Sequence, residues 1–87
     1  MEQKNSNAQH LLLGKIVIDK QVISQMESDH LFHDFVYNSI MLHETGECNR
    51  YSINQNIKST HKYESTGATF DISTELIKNV TSIISSI

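Results

Sequence analysis

The sequence predicts a small α+β domain, and three features lead to that class. An amphipathic helical segment follows Asp29, β-branched and aromatic residues surround Gly67, and an isoleucine-rich segment follows Asn79. The 87 residues, of which 38% are hydrophobic, suit one domain with a thin core. We therefore expect a small antiparallel sheet, built from an N-terminal strand and a C-terminal hairpin and strand, packed against one main helix and one or two short helices.

The N-terminal part divides into a tail, a strand and a short helix. Residues 1–10 offer almost nothing to bury, so we expect a disordered tail there and a single small α+β domain over residues 11–87. Residues 12–18 become β-branched towards their end, which predicts a strand. Residues 19–26 carry apolar side chains at helical spacing after Asp19, which predicts a short capped helix.

The main helix is bracketed by Asp29 at its N-cap and by Gly46 just beyond its end. On a helical projection the arc predicted to face the core holds Leu31, Phe32, Phe35, Val36, Ser39, Ile40 and Leu42. The opposite arc holds His30, His33, Asp34, Tyr37, Asn38, Met41 and Glu44. We expect His43 at the edge of the core, with its charged form favoured by the helix C-terminus.

The chain after Gly46 is less regular. Ser52, followed by isoleucines at 53 and 57, is compatible with a short helix. Residues 57–64 and 68–74 predict a β-hairpin that directs Phe70 and Ile72 into the core.

The last segment supports two interpretations. Its apolar residues from position 76 onward recur at helical spacing, whereas its composition of Val, Thr, Ser and Ile favours a strand. We choose a strand from about Val80.

Composition excludes several classes of function. Seven scattered basic residues, with a net charge of −3, cannot form the cationic surface that binds nucleic acid directly. No apolar run reaches the roughly 18–20 residues needed to span a membrane. The single cysteine, Cys48, cannot form an intramolecular disulfide and indicates a reducing compartment. We therefore expect a cytoplasmic protein without membrane association.

Four short segments resemble a family of short plasmid-related proteins. They are LLLGKIV at 11–17, LHETGE at 42–47, FDISTE at 70–75 after Gly67, and VTSI at 80–83. The resemblance implies a cytoplasmic protein of a bacterial mobile element, a closing strand, and no established catalytic activity. The chain departs from the family pattern, since Cys48 stands where a tryptophan is expected, the segment after Gly46 is shorter, and a Pro-Glu-Tyr ending is missing.

The histidines suggest a metal or catalytic site that the helical geometry argues against. A zinc site needs three or four convergent ligands, yet His43 points away from His30 and His33 on one straight helix. Cys48 follows a helix end, where nothing lowers the pKa of its thiol, and no phosphate-loop or nucleophile motif occurs. We therefore expect no catalytic residue, no metal and no cofactor. The alternative is a small His/Cys metal-dependent enzyme or nuclease that uses His30, His33, His43, Cys48 or His61.

The segment from Glu27 to Glu47 holds five carboxylates and no lysine or arginine. Tyrosine and methionine are common contact residues, and surrounding acids steer a basic partner. The predicted partner-binding residues are His30, His33, Asp34, Tyr37, Met41, Glu44 and Glu47. The alternative is an ordinary solvated helix face.

These features predict a non-enzymatic, protein-binding accessory protein of a bacterial mobile element or phage. By association, such a protein would inhibit a host nucleic-acid-handling defence complex, of the anti-CRISPR or anti-restriction type, by masking a basic surface. A structural homodimer, in which residues 80–87 pair across a two-fold axis, is a further alternative.

Overall fold

The structure, a computed structural model, describes residues 10–86 and confirms the α+β class. The elements are β1 (Lys15–Ile18), α1 (Lys20–Ser28), α2 (His30–Thr45), β2 (Tyr51–Ile53), β3 (Asn56–Tyr63), β4 (Ala68–Glu75) and β5 (Val80–Ser85). The predicted tail lies outside the described residues, apart from His10.

All five strands form one sheet in the order β1-β5-β4-β3-β2. The pairs β2–β3, β3–β4 and β4–β5 are antiparallel, whereas β1 runs parallel to β5 with Lys15 opposite Val80. The sheet is therefore mixed at one edge. Because β5 is paired on both sides over residues 80–83, its backbone there is not free to pair across a two-fold axis.

Helix α2 begins and ends where its sequence predicts. The Asp29 carboxylate accepts hydrogen bonds from the backbone N–H groups of Leu31 and Phe32, at 3.1 and 3.2 Å. Gly46 adopts a φ of 84° and its N–H donates to the Leu42 carbonyl, which ends the helix. Asp19 is the N-cap residue of α1, but its side chain makes no capping hydrogen bond.

Both helices pack on the same face of the sheet, where Phe70, Ile72 and Ile83 join Val22 and Phe32 in one core. The predicted burial of Phe70 and Ile72 is therefore confirmed. The rings of Phe32, Phe35, Tyr63 and Phe70 pack against one another with centroid separations of 5.2 to 5.9 Å. Neither helix within the described range has the length and apolar character needed to cross a bilayer.

The buried arc of α2 is narrower than predicted. Phe32, Val36, Ser39 and Ile40 are buried, and Phe35 and Leu42 are half-buried. Leu31 is 62% exposed, so its assignment to the core is wrong. The covered arc is centred near Val36 and His43, and Leu31 lies about 120° from that centre at a step of 100° per residue.

Two predictions for the C-terminal half have different outcomes. The short helix suggested near Ser52 is wrong, because residues 51–53 and 56–63 form a hairpin whose turn residues Asn54 and Gln55 have φ of 50° and 69°. Two successive left-handed residues match the twist of a two-residue hairpin. The strand from Val80 is confirmed, since Thr81 and Ile83 are buried while Ile84 is exposed.

Candidate functional site

The predicted partner-binding residues lie along the solvent-facing side of α2 and just beyond its end. We call this set, His30, His33, Asp34, Tyr37, Met41, Glu44 and Glu47, the α2 face. Tyr37 is 53% exposed and Met41 is 57% exposed, while Glu44 is half-buried. Their helical spacing of three and four residues places the members within the helix on one continuous stripe.

Local contacts order the middle of the α2 face. The His33 ring packs against the Tyr37 ring at a centroid separation of 4.8 Å. The His33 Nδ1 atom lies 3.3 Å from a carboxylate oxygen of Asp34. These contacts restrain the exposed tyrosine, which lowers the entropy cost of binding through it. Residues 21–49 contain no lysine or arginine, so the stripe has a single sign of charge.

A second cluster of polar side chains, which the sequence did not predict as a site, lies inside the protein. We call it the histidine–hydroxyl network, and it runs through His61, Ser59, His43, Thr74 and Thr81 to the Leu13 carbonyl. Its hydrogen bonds measure 2.7 to 2.9 Å. It links α2 with β3, β4, β5 and the segment before β1.

The direction of these hydrogen bonds follows from the carbonyl end. The Thr81 hydroxyl donates its only proton to the Leu13 carbonyl oxygen at 2.7 Å, because a carbonyl can only accept. In the Thr74–Thr81 contact of 2.8 Å the Thr74 hydroxyl must therefore be the donor. The Thr74 oxygen then accepts from the Nε2–H of His43 at 2.9 Å.

The hydrogen bonds on the other side of the imidazole have a defined direction as well. A neutral His43 with its proton on Nε2 accepts at Nδ1 from the Ser59 hydroxyl at 2.8 Å. The Ser59 oxygen accepts from the Nε2–H of His61, also at 2.8 Å. Both ring nitrogens of His43 are satisfied, and all hydrogen bonds point the same way, towards Leu13.

The structure contradicts the expected charged state of His43. Its side chain is 0% exposed instead of lying at the core edge. Burial, followed by the charges of Arg50 and His61, lowers the pKa of His43 to about 4. Burial also lowers the pKa of His61, although the Asp71 carboxylate opposes that shift. Desolvation outweighs the helix C-terminus, so His43 is neutral at pH 7.

The network contains a serine hydrogen-bonded to a histidine, the pairing that activates nucleophiles in hydrolases. Ser59, His43, Thr74 and Thr81 are all fully buried, and His61 at 8% exposure is the member nearest to solvent. The Ser59 oxygen therefore has no approach for a substrate, and it already accepts a hydrogen bond from His61 within the fold. The arrangement joins the helix to the sheet.

Of the residues proposed for a metal-dependent enzyme, only His43 and His61 are brought together, and both are hydrogen-bonded to Ser59. His30 and His33 are exposed on the other side of α2, and half-buried Cys48 follows the helix. Within residues 10–86 no three His, Cys, Asp or Glu side chains converge as ligands of one metal ion.

The histidine–hydroxyl network had a signal in the sequence. Phe70 and Ile72 were predicted to point inward, and their partners across the β3–β4 hairpin are His61 and Ser59. Residues directly opposite in an antiparallel pair share a face. The hairpin register would therefore have placed both polar side chains in the core.

No protein-family profile, curated protein or solved structure matches this chain. The resemblance to short plasmid-related proteins therefore stays a prediction.

Proposed function

We propose that this chain is a non-enzymatic binding protein whose α2 face docks on a basic surface of another protein. The observation that carries the proposal is the exposure of Tyr37 and Met41 on a stripe that contains acids and no lysine or arginine. Tyrosine and methionine are enriched at interface cores, and acids around them favour a cationic partner.

The electrostatics of the α2 face support a partner other than a second copy of the chain. Asp34 is exposed at the middle of the stripe, and Glu44 and Glu47 lie at its C-terminal end. Two α2 faces brought together would place like charges against each other, which is unfavourable. A surface rich in lysine and arginine would instead gain from the same groups.

The class of partner follows from that chemistry. Proteins that bind nucleic acid do so through basic surfaces, and a helix with a single sign of charge can cover such a surface. Together with the mobile-element context implied by the resemblance, this supports an inhibitor of a host nucleic-acid-handling defence complex. The protein would compete with nucleic acid for the basic surface.

A catalytic function has less support. Ser59 and His43 are fully buried, and their hydrogen bonds to each other, to His61 and to Thr74 are used within the fold. We therefore propose that the described residues supply a surface instead of a reaction centre.

The test uses purified CRISPR effector and restriction complexes as defined probes in calorimetric titrations. We expect one of them to bind the protein, and the double variant Tyr37→Ala with Asp34→Lys to weaken that binding by about 100-fold, since it removes an anchor and reverses a charge. The matched control is Ile77→Ala with Glu64→Lys, which also truncates an exposed apolar residue and reverses an exposed acid, but in the turns that follow β4 and β3. The control should bind like the unmodified protein.

The proposed binding should also depend on salt. Binding should weaken as salt is raised from 50 to 300 mM, because screening reduces the attraction between exposed charges. Equal affinity of the α2 variant and the control for the bound complex would refute the role of the α2 face, as would a failure of every complex to bind.

A further inference from the structure

Within residues 10–86, no helix or strand packs on the face of the sheet opposite the helices. Strand register places every second strand residue on it, beginning with Lys15 in β1, Tyr51 in β2, Asn56 in β3, Thr69 in β4 and Val80 in β5, and we call this set the outer face. Four of its apolar members, Val17, Tyr51, Ile53 and Ile84, are 45 to 50% exposed.

The charges of the outer face differ in kind from those of the α2 face. The outer face carries three lysines, at 15, 58 and 62, and two acids, Asp71 and Glu75. A nearly neutral face with both signs can complement a copy of itself, because each sign finds the other in the second copy. The α2 face has charges of one sign only, so it cannot complement a copy of itself.

We infer that the outer face is the interface of a homodimer in which two sheets stack face to face. A two-fold axis that runs parallel to the strands, between β3 and β4, places β4 of one copy over β3 of the other. The same axis places β5 over β2 of the second copy. Stacked sheets of this kind pack about 10 Å apart with their side chains interdigitated.

The apolar residues match under this axis. Val80, Glu75, Asn56 and Ile53 lie at one level across the sheet, as the successive strand pairings show. Val80 of one copy therefore comes to lie over Ile53 of the other. Tyr51, two residues from Ile53, lies at a level between those of Val80 and Ile84. The apolar ends of β5 and β2 thus cover each other.

The charged residues match as well. Thr60 is opposite Asp71 in the hairpin and donates a hydrogen bond to its carboxylate at 2.7 Å. Under the axis, Asp71 of one copy lies over Thr60 of the other and between Lys58 and Lys62. Neither of these lysines forms an ion pair within residues 10–86. The stacked arrangement supplies a carboxylate to both.

The small size of the interface predicts a weak dimer. Four overlapping strands of about six residues cover roughly 19 by 20 Å, or about 400 Å² in projection for each copy. Stable specific interfaces are larger, so we expect a transient dimer that forms in the upper part of the range from about 1 µM to 1 mM.

The first experiment measures mass by sedimentation equilibrium on the full chain, from about 1 µM to 1 mM. A chain of 9.9 kDa should approach twice that mass as its concentration rises. Two charge variants test the interface. The dissociation constant of the dimer should be at least about tenfold higher for an acidic variant, Lys58→Glu with Lys62→Glu, and for a basic variant, Asp71→Lys with Glu75→Lys. An equimolar mixture of the two variants should recover dimer mass, because each face then meets its opposite.

The controls separate this interface from the α2 face. The variant Asp34→Lys with Tyr37→Ala should leave the dissociation constant of the dimer unchanged, whether or not the variant still binds the proposed partner protein. Circular dichroism verifies that each variant is folded, and Ile84→Ser provides a weakening change that introduces no charge. A mass of 9.9 kDa up to 1 mM, or a mixture that stays as monomeric as its components, would overturn the inference.

Discussion

Acid should destabilise this protein through His43, and the size of the effect follows from its surroundings. The folded protein holds the imidazole neutral between a hydroxyl donor and a hydroxyl acceptor. A second proton on Nδ1 would face the Ser59 oxygen, which already accepts from His61. The Ser59 hydroxyl would then lose its acceptor. Arg50, which donates to the His43 carbonyl at 3.0 Å, adds positive charge nearby.

The sign of the effect follows from proton uptake. The pKa of His43 is about 4 in the folded protein against 6.5 for an unperturbed histidine, so between these values the unfolded chain binds more protons. The contribution of His43 to stability is complete above pH 6.5 and is lost as the pH falls towards 4. The shift corresponds to about 3 kcal/mol in total, of which about 2 kcal/mol is lost between pH 7 and pH 5.

That loss is large for a small domain, whose free energy of unfolding is expected to be roughly 4–13 kcal/mol at this length. It is measured by urea denaturation followed by circular dichroism at pH 7, 6 and 5, at one protein concentration, since any dimer links stability to concentration.

The variant His43→Gln isolates the contribution of this one residue. Glutamine keeps an N–H for Thr74 and does not titrate, but it leaves Ser59 without its acceptor and should cost about 1–3 kcal/mol at pH 7. Its stability should fall by about 2 kcal/mol less than that of the unmodified protein between pH 7 and pH 5. Some dependence should remain, because burial also lowers the pKa of His61. Equal slopes for the two proteins would refute the reasoning.

Two further predictions use matched pairs of substitutions, each measured by urea denaturation at pH 7. Gly14→Ala should cost more than about 3 kcal/mol, because Gly14 has a φ of 65° and a Cβ there would overlap the Asn79 backbone oxygen. Gly67→Ala, at a φ of 77° but with open space around it, should cost about 1 kcal/mol, and a similar loss for both would contradict the close approach. Phe32→Ala should cost about 3–5 kcal/mol, since that side chain is fully buried among aromatic rings. Leu31→Ala, at the exposed residue that precedes Phe32, should change stability by less than about 0.5 kcal/mol. A large loss of stability there would indicate that Leu31 is buried in the core.

Local signals predicted the elements whose determinants are adjacent in sequence. Asp29 and Gly46 set the ends of α2 by hydrogen bonds within a few residues, and the β-branched composition after Asn79 decided between strand and helix. The alternation around Phe70 and Ile72 identified the inward face of β4. Each of these predictions depends on residues that the chain brings together without help from distant segments.

The features that the sequence did not predict depend on distant partners. Burial of a histidine at the centre of the core arc is unfavourable unless its ring nitrogens find hydrogen-bond partners. The partners of His43 are Ser59 and Thr74, which lie on two strands, 16 and 31 residues further along the chain. Strand β2 has three exposed residues and little hydrophobic pattern, so its pairing with β3 defines it. Local spacing predicted that the members of the α2 face within the helix lie on one stripe, whereas the binding of a partner there stays a proposal.

The parallel pairing of β1 with β5 has a consequence for biosynthesis. Residues 15–18 pair with a strand that begins at residue 80, and the Leu13 carbonyl accepts a hydrogen bond from the Thr81 hydroxyl. A ribosome must therefore translate past residue 80 before β1 can join the sheet. Until then the apolar residues of β1 are without their partner strand, which exposes the nascent chain to chaperones and proteases. A product truncated before residue 80 would lack the strand that closes this edge.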